Sequence, residues 1–214
     1  MTIDTTRLRP GQLTQLLGSR LCHDLVSPLG AIGNGVELLE MSPDYPALAK
    51  SAELRLISES VQAARNRIQG FRVAFGQSAG GQRIGRPELV KLLEGFSSQT
   101  RLNVTLDATG DFARPEIRMV LLALMCLETA MPWGGRVLAV HSPGQWRLVA
   151  EADRTRPEPE LWTWLGPVPD ETEPLTPRPP LASEVQFPLL ADAAAEQQRQ
   201  IHWELDDKGA EIAF

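Results

Sequence analysis

Leu21-Cys22-His23-Asp24-Leu25-Val26-Ser27-Pro28-Leu29-Gly30 is the stretch from which the rest of the chain can be read. A histidine is followed at once by a carboxylate, and a proline stands five positions after the histidine. From about Gly11 to Met41 the surroundings are helical. Leu13, Leu17, Leu21, Leu25, Leu29 (or Pro28), Ile32, Val36 and Leu39 recur at spacings of three and four, which draws one apolar stripe. At about 100° per residue His23 lies roughly 200° from Leu21 and Leu25, opposite that stripe. Ser27, Gly30 and Asn34 follow it at plus four, plus seven and plus eleven. The histidine therefore heads a ridge of small or polar side chains that leaves another protein room to approach an imidazole. Pro28 has no backbone N–H and is expected to bend the helix just after His23.

Working outward, Ser42-Pro43-Asp44-Tyr45-Pro46 breaks the helix. A second helical pattern runs from about Ala47 to Phe75, where Ile57, Val61, Ala64, Ile68, Phe71 and Phe75 make a heptad seam. Two long helices joined by a short turn form an antiparallel hairpin. One hairpin buries its stripe poorly. It either pairs with a second copy in a dimeric four-helix bundle or packs on the rest of its own chain.

Gly76 to Gly81 is a small-residue linker between two expected domains, 1–76 and 82–214. The second is mixed. Pro87 to Ser97 and Pro115 to Ala130 read as helices, and Leu102 to Leu106 as a strand. Arg136 to His141 and Trp146 to Ala152 read as a hairpin around Ser142-Pro143-Gly144. Trp162 and Trp164 fall in a short apolar turn, and Gly166 to Pro180 is a loop with six prolines. Leu181 to Gln200 reads as a helix, and Ile201 to Leu205 with Ala210 to Phe214 as a closing hairpin.

The composition is that of a globular protein, 43% hydrophobic and 22% charged over 214 residues. A net charge of -6 argues against nucleic acid as the main partner, since phosphate binding needs a basic surface. Cys22 and Cys126 sit in apolar helical patterns and are expected as buried free thiols rather than a disulfide or a zinc site. His141 and His202 lie in expected strands with no ligand-like partner, so no metal site is assigned. Met1 to Pro10 carries no apolar segment of the signal-peptide kind, and no run of about 18 apolar residues is present. No membrane partner is expected, and the expected compartment is the cytoplasm.

A neutral imidazole can act as a nucleophile toward an acyl phosphate. Asp24 could orient the ring or accept a proton during attack. Arg20, one turn earlier, could pair with a phosphoryl group or with an acid on a partner. The residues themselves also allow a surface histidine without a role.

His23-Asp24-Leu25-Val26-Ser27-Pro28-Leu29 resembles the H-box of sensor histidine kinases: His, an acid, two residues, Ser or Thr, Pro, Leu. In that family the histidine accepts the phosphoryl group, the acid is its general base, and the hairpin dimerises into a four-helix bundle. The longer stretch from Cys22 to Leu39 is similar to the ChpT-type histidine phosphotransferases of alphaproteobacteria. These are dimeric phosphorelay intermediates with a kinase-like but catalytically degenerate second domain. The resemblance implies an α+β protein, a helical hairpin followed by a degenerate kinase ATPase-like α/β sandwich.

Whether the second domain binds ATP separates a kinase from a phosphotransferase. Arg118 to Gly135 resembles the kinase helix that carries two asparagines for ATP and Mg²⁺, and the register puts Leu122 and Cys126 at those positions. Neither offers the oxygen that Mg²⁺ demands. Asp153-Arg154-Thr155-Arg156-Pro157 has the acid of a nucleotide loop but no glycine after it, and a backbone that wraps phosphates needs glycine.

The expectation is a homodimeric histidine phosphotransferase without a bound cofactor or metal. Its partners would be the receiver domain of a hybrid histidine kinase and the receiver domains of response regulators, which bring the Mg²⁺. His23 and Asp24 are the expected catalytic residues. Arg20, Leu25, Ser27, Leu29, Gly30 and Asn34 are the expected docking face. An active kinase fragment and a non-catalytic dimeric scaffold are the alternatives. Trp162, Trp164 and Trp203 are read as core more readily than as docking residues.

Overall fold

The computed structural model describes residues 10–77, 81–98, 100–167 and 175–214. Ser78, Ala79 and Gly80 of the linker, most of the Met1 to Pro10 stretch and 168–174 of the proline-rich loop lie outside these. The chain divides into two compact units, Met1–Gln77 and Ser78–Phe214.

The first unit is a hairpin of α1 (Pro10–Glu40) and α2 (Ala52–Ala74). α1 continues unbroken through Pro28. The second helix starts later than Ala47. Leu48–Lys50 forms only a 3-10 turn, and Ser51 stays extended at ψ 132, its hydroxyl accepting the Leu54 N–H at 3.2 Å. That cap sets the start of α2.

The apolar stripe of α1 does not form the seam of this hairpin. α1 buries Cys22, Gly33 and Val36, while Leu13, Leu17, Leu21, Leu25, Ile32 and Leu39 each remain between 44% and 58% exposed. The seam is a neighbouring row of small residues, because small side chains let two helices approach closely. A Cβ on Gly18 would lie 2.7 Å from the Phe75 carbonyl oxygen, and one on Gly33 would lie 2.8 Å from Arg65 Nη1. On α2 the buried row is Leu54, Val61 and Ile68, at intervals of seven. Ile57 of the expected heptad seam is exposed, and Ala64, Phe71 and Phe75 are half-buried. The Gln77 N–H donates to Ser19 Oγ at 2.8 Å and fastens the end of the hairpin.

The second unit is built on a five-stranded sheet in the order β2-β4-β5-β7-β6. The chain runs β1 (Arg83–Gly85), α3 (Arg86–Ser97), β2 (Leu102–Asp107), β3 (Asp111–Ala113), α4 (Arg114–Ala130), β4 (Gly135–Ser142) and β5 (Gln145–Glu151). It continues with α5 (Pro159–Trp162), a 3-10 turn at Ala182–Glu184, α6 (Gln186–Glu196), β6 (His202–Leu205) and β7 (Gly209–Ala213). β2 and β4 are parallel and joined through α4, while the other pairs are antiparallel. α4 is buried without interruption from Ile117 to Leu127. A helix apolar all round must be covered on all sides: α4 packs on α6, and also meets β5 and β7. Arg118, the one charge in that run, pairs with Glu196 of α6 at 3.1 Å.

β1 and β3 have no counterpart among the expected elements. Each is three residues long, too short to show alternation, and they pair only with each other, Ile84 opposite Phe112. Phe112 is buried with His141 and Trp146 at ring distances of 4.9 Å, so His141 belongs to an aromatic cluster. The expected helix Leu181–Gln200 is shorter and split. Gln198 is left-handed at φ 53, and the Arg199 N–H returns to the Ala194 carbonyl at 2.9 Å, which ends α6. In the last turn Asp206 Oδ1 accepts the N–H groups of Lys208 (2.7 Å) and Gly209 (2.8 Å) and so sets the β6–β7 hairpin.

Candidate functional site

The first half of α1 presents His23 with its side chain 81% exposed. Its Nδ1 lies 3.2 Å from Asp24 Oδ1, and the other oxygen of the same carboxylate accepts Arg20 Nε at 2.8 Å. Arg20 and Asp24 are one helical turn apart, so a single carboxylate bridges a cation and an imidazole. Exposed pairs of this kind are screened by water and contribute little to stability, so the arrangement orients groups more than it stabilises the helix. The hydrogen bond with His23, followed by contact with Arg20, holds the Asp24 carboxyl below its ordinary value. An ionised carboxylate can only accept, which places the ring proton on Nδ1 and leaves the Nε2 lone pair pointing away from it.

Ser27 and Asn34 are exposed and Gly30 is half-buried, so the ridge below His23 is open. It extends about 16 Å to Asn34 at 1.5 Å per residue. Leu25 is exposed on the leucine row, roughly 200° around the helix from His23, and Leu29 is half-buried. Arg65 of α2 crosses to α1, where its Nη2 donates to the Gly30 carbonyl at 3.3 Å. This cation at the foot of the ridge comes from a position 35 residues away in sequence. Only tertiary packing brings it there.

In the second unit Leu122 and Cys126 have no solvent exposure at all. One turn away, Gln186 Nε2 donates to Thr129 Oγ1 at 2.9 Å. Burial drives the Cys126 thiol pKa well up, and the less buried Cys22 is raised for the same reason. Trp162 is buried against Phe187 and Trp203 at 5.6 and 5.3 Å, so these aromatics fill the core. Trp164 is half-buried and donates to the Arg178 carbonyl at 2.9 Å. Arg178 clasps Glu184 through both guanidinium ends, at 2.7 and 2.8 Å, and also bonds Glu158. Among the described residues no three His, Cys, Asp or Glu side chains gather as a metal site, and no helix is long and apolar enough to cross a membrane.

Residues 86–209, more than half of the chain, match the family model of the histidine phosphotransferase C-terminal domain. The chain belongs to the histidine phosphotransferase family. Protein phosphotransferase ChpT of Brucella abortus (strain 2308) is 34% identical over 135 residues. That match covers 62% of this histidine phosphotransferase and 61% of the relative's length. A solved bacterial phosphotransferase superposes with a TM-score of 0.62, covering 97% of this chain and 98% of its own at 24% identity. The hairpin followed by an α/β unit is thus a shared fold. The α+β class and the membership in the ChpT-type group agree with the reading of the sequence.

Proposed function

We propose that this histidine phosphotransferase is a dimeric relay intermediate that works in the cytoplasm and moves phosphoryl groups between receiver-domain aspartates through His23. The observation that carries this reading is the geometry at His23: an exposed imidazole anchored at Nδ1 by Asp24, with Nε2 free. The Nε2 lone pair attacks the phosphorus of an aspartyl phosphate as the bond from phosphorus to the aspartate oxygen breaks, and the carboxylate leaves. Positive charge developing on the ring is stabilised by Asp24 through the Nδ1 proton. The return step is the same sequence reversed, onto the aspartate of a second receiver. Such transfer rests mostly on positioning and electrostatics. The receiver brings the Mg²⁺ and most of the charged groups, while this chain brings the nucleophile, its orienting acid and the open ridge with Arg20, Ser27, Gly30 and Asn34.

Two further parts of the reading have their own support. The exposed leucine row of α1 is an unpartnered seam along a long helix, which fits pairing of two hairpins into a four-helix bundle. The zero exposure of Leu122 and Cys126, and the lack of glycine after Asp153, argue that ATP is not bound. The test is to follow phosphohistidine on the purified protein with ATP alone and then with a phosphorylated cognate receiver. Label is expected only in the second case and absent from His23→Ala. Label from ATP alone would make the protein a kinase, and no label with the cognate receiver would leave the scaffold reading.

A further inference from the structure

The hairpin is electrically polarised along its length, and α2 supplies most of the positive charge. Residues 10–36 and 60–77, the end that holds His23, contain four arginines, Arg20, Arg65, Arg67 and Arg72, against the single carboxylate of Asp24. Residues 37–59, the turn end, contain five acids against two cations. Asp24 is already bonded to Arg20 at 2.8 Å. The next acid along α1 is Glu37, about 21 Å from His23 at 1.5 Å per residue. The His23 end of the hairpin is therefore net positive, in a chain of net charge -6.

Helix geometry puts two of the α2 arginines on the histidine's side. Arg65 and Arg72 are one heptad apart, about 20° short of two turns, so they share a column of α2. The Arg65 guanidinium marks the side that column faces. Its Nη2 donates to the carbonyl of Gly30, a member of the His23 ridge, at 3.3 Å. The antiparallel pairing then sets the level of Arg72. Phe75 lies against Gly18, and Arg65 against Gly30 and Gly33, so Arg72 falls level with the turn that carries His23. Its charge is felt there: burial raises the Cys22 thiol, and Arg72 draws it partly back. Arg72 is exposed and Arg65 half-buried. Ser58, Gln62 and Gln69, the other members of the column, are uncharged. Arg67 lies about 200° around α2 from Arg65 and stacks on Phe71 at 5.1 Å, outside this column.

We propose that Arg65 and Arg72 make α2 part of the transfer site: they are the cations that recruit the phosphorylated receiver to His23, so α2 sets partner affinity while α1 supplies the chemistry. This recruitment presupposes the phosphotransfer reading. In that reading the group that arrives at Nε2 is an aspartyl phosphate. A Mg²⁺ ion beside it is held by carboxylates as well as by the phosphate, so the arriving face is acidic around the phosphoryl group. A net-positive strip beside the acceptor complements such a face. One heptad separates the two guanidinium-bearing positions by about 10 Å, more than a phosphoryl group spans, so they meet protein surface. Cations at the edge of a contact act mainly on the association rate and on its dependence on salt.

The experiment measures phosphohistidine formation on the full-length protein against the concentration of a cognate receiver phosphorylated with acetyl phosphate, which gives kcat and KM. Arg72→Glu combined with Arg65→Gln is expected to raise KM about tenfold or more while kcat stays within about twofold. Arg72→Lys keeps the charge and should restore the parent KM. Arg55→Glu, exposed at the turn end, changes the net charge as much as Arg72→Glu and should leave KM unchanged. The parent protein supplies a test that no fold defect can obscure: its KM should rise steeply between about 50 mM and about 500 mM salt. Phosphoramidate, a small donor without a protein surface, should label His23 equally fast in parent and variants. An unchanged KM in the charge-altered protein, an equal rise in Arg55→Glu, or a parent KM indifferent to salt would overturn the proposal and leave the phosphotransfer reading in place. Labelling by phosphoramidate slowed as much as labelling by the receiver would make the arginines a phosphoryl-binding pair and overturn it as well. No label on the parent from the receiver would remove the phosphotransfer reading and the proposal with it.

Discussion

Asp24 holds the geometry at His23 with a single carboxylate. One carboxylate takes Arg20 on one oxygen and His23 on the other, at 2.8 and 3.2 Å. The first contact fixes the carboxylate, and the second fixes the ring and its tautomer. Asp24→Asn keeps the size of the side chain but removes the charge, so a neutral amide faces the ring where an anion stood. Under the proposed mechanism, transfer from a phosphorylated receiver should slow by about 10²-fold, the low end of what a positioned acid–base group contributes. Thermal stability should be nearly unchanged, since the pair is exposed and screened by solvent. Rapid-quench phosphotransfer beside thermal melts separates the two effects. A parallel fall in both would assign Asp24 to the fold.

At the scale of the hairpin, two rows on α1 have different work. The small-residue row holds α2. Gly18 lies under the Phe75 carbonyl, and backbone cannot retreat as a side chain can. Gly18→Ala should destabilise the protein by about 1–3 kcal/mol, read by urea melts. Gly33→Ala should cost less, because the atom it meets is the far end of Arg65. The leucine row of α1 is exposed in the hairpin. If the proposed dimer forms through this row, replacing Leu21 and Ile32 together by Glu halves the mass measured by light scattering while α-helix content is kept. An unchanged mass would show that the row is not the dimer seam. The free energy at stake is large, because each fully buried Leu or Ile side chain contributes about 1.5–3 kcal/mol.

At the scale of the whole molecule, the second unit is held by a buried helix and by a largely buried ionic clasp. Burial of α4 leaves Leu122 and Cys126 packed on all sides. The clasp joins Arg178, near the end of the proline-rich loop, to Glu184 and Glu158. The double hydrogen bond from Arg178 lowers the Glu184 carboxyl from 4.5 to about 2. A folded-state value below the unfolded one means that the clasp stabilises fully above the unfolded value. That contribution is lost as the pH falls from 4.5 toward about 2. Glu184→Gln should therefore melt below the parent at neutral pH, and the gap should narrow steadily as the pH drops below 4.5. A gap independent of pH would locate the effect in packing.

The sequence by itself determined the local features: helix periodicity, the break at Ser42 to Pro46, the open ridge of His23, Ser27, Gly30 and Asn34, and the β4–β5 and β6–β7 hairpins. These follow from spacing and from proline and glycine chemistry, which act over a few residues. Three things needed the tertiary structure. The leucine stripe left open what covers it, because periodicity finds an apolar face but not its partner; close approach at Gly18 and Gly33 decided that a small-residue row holds α2. β1 and β3 are too short to carry a pattern and exist because each completes the other's hydrogen bonds. Arg65 on Gly30 joins residues far apart in the chain, and only helix packing could set them side by side.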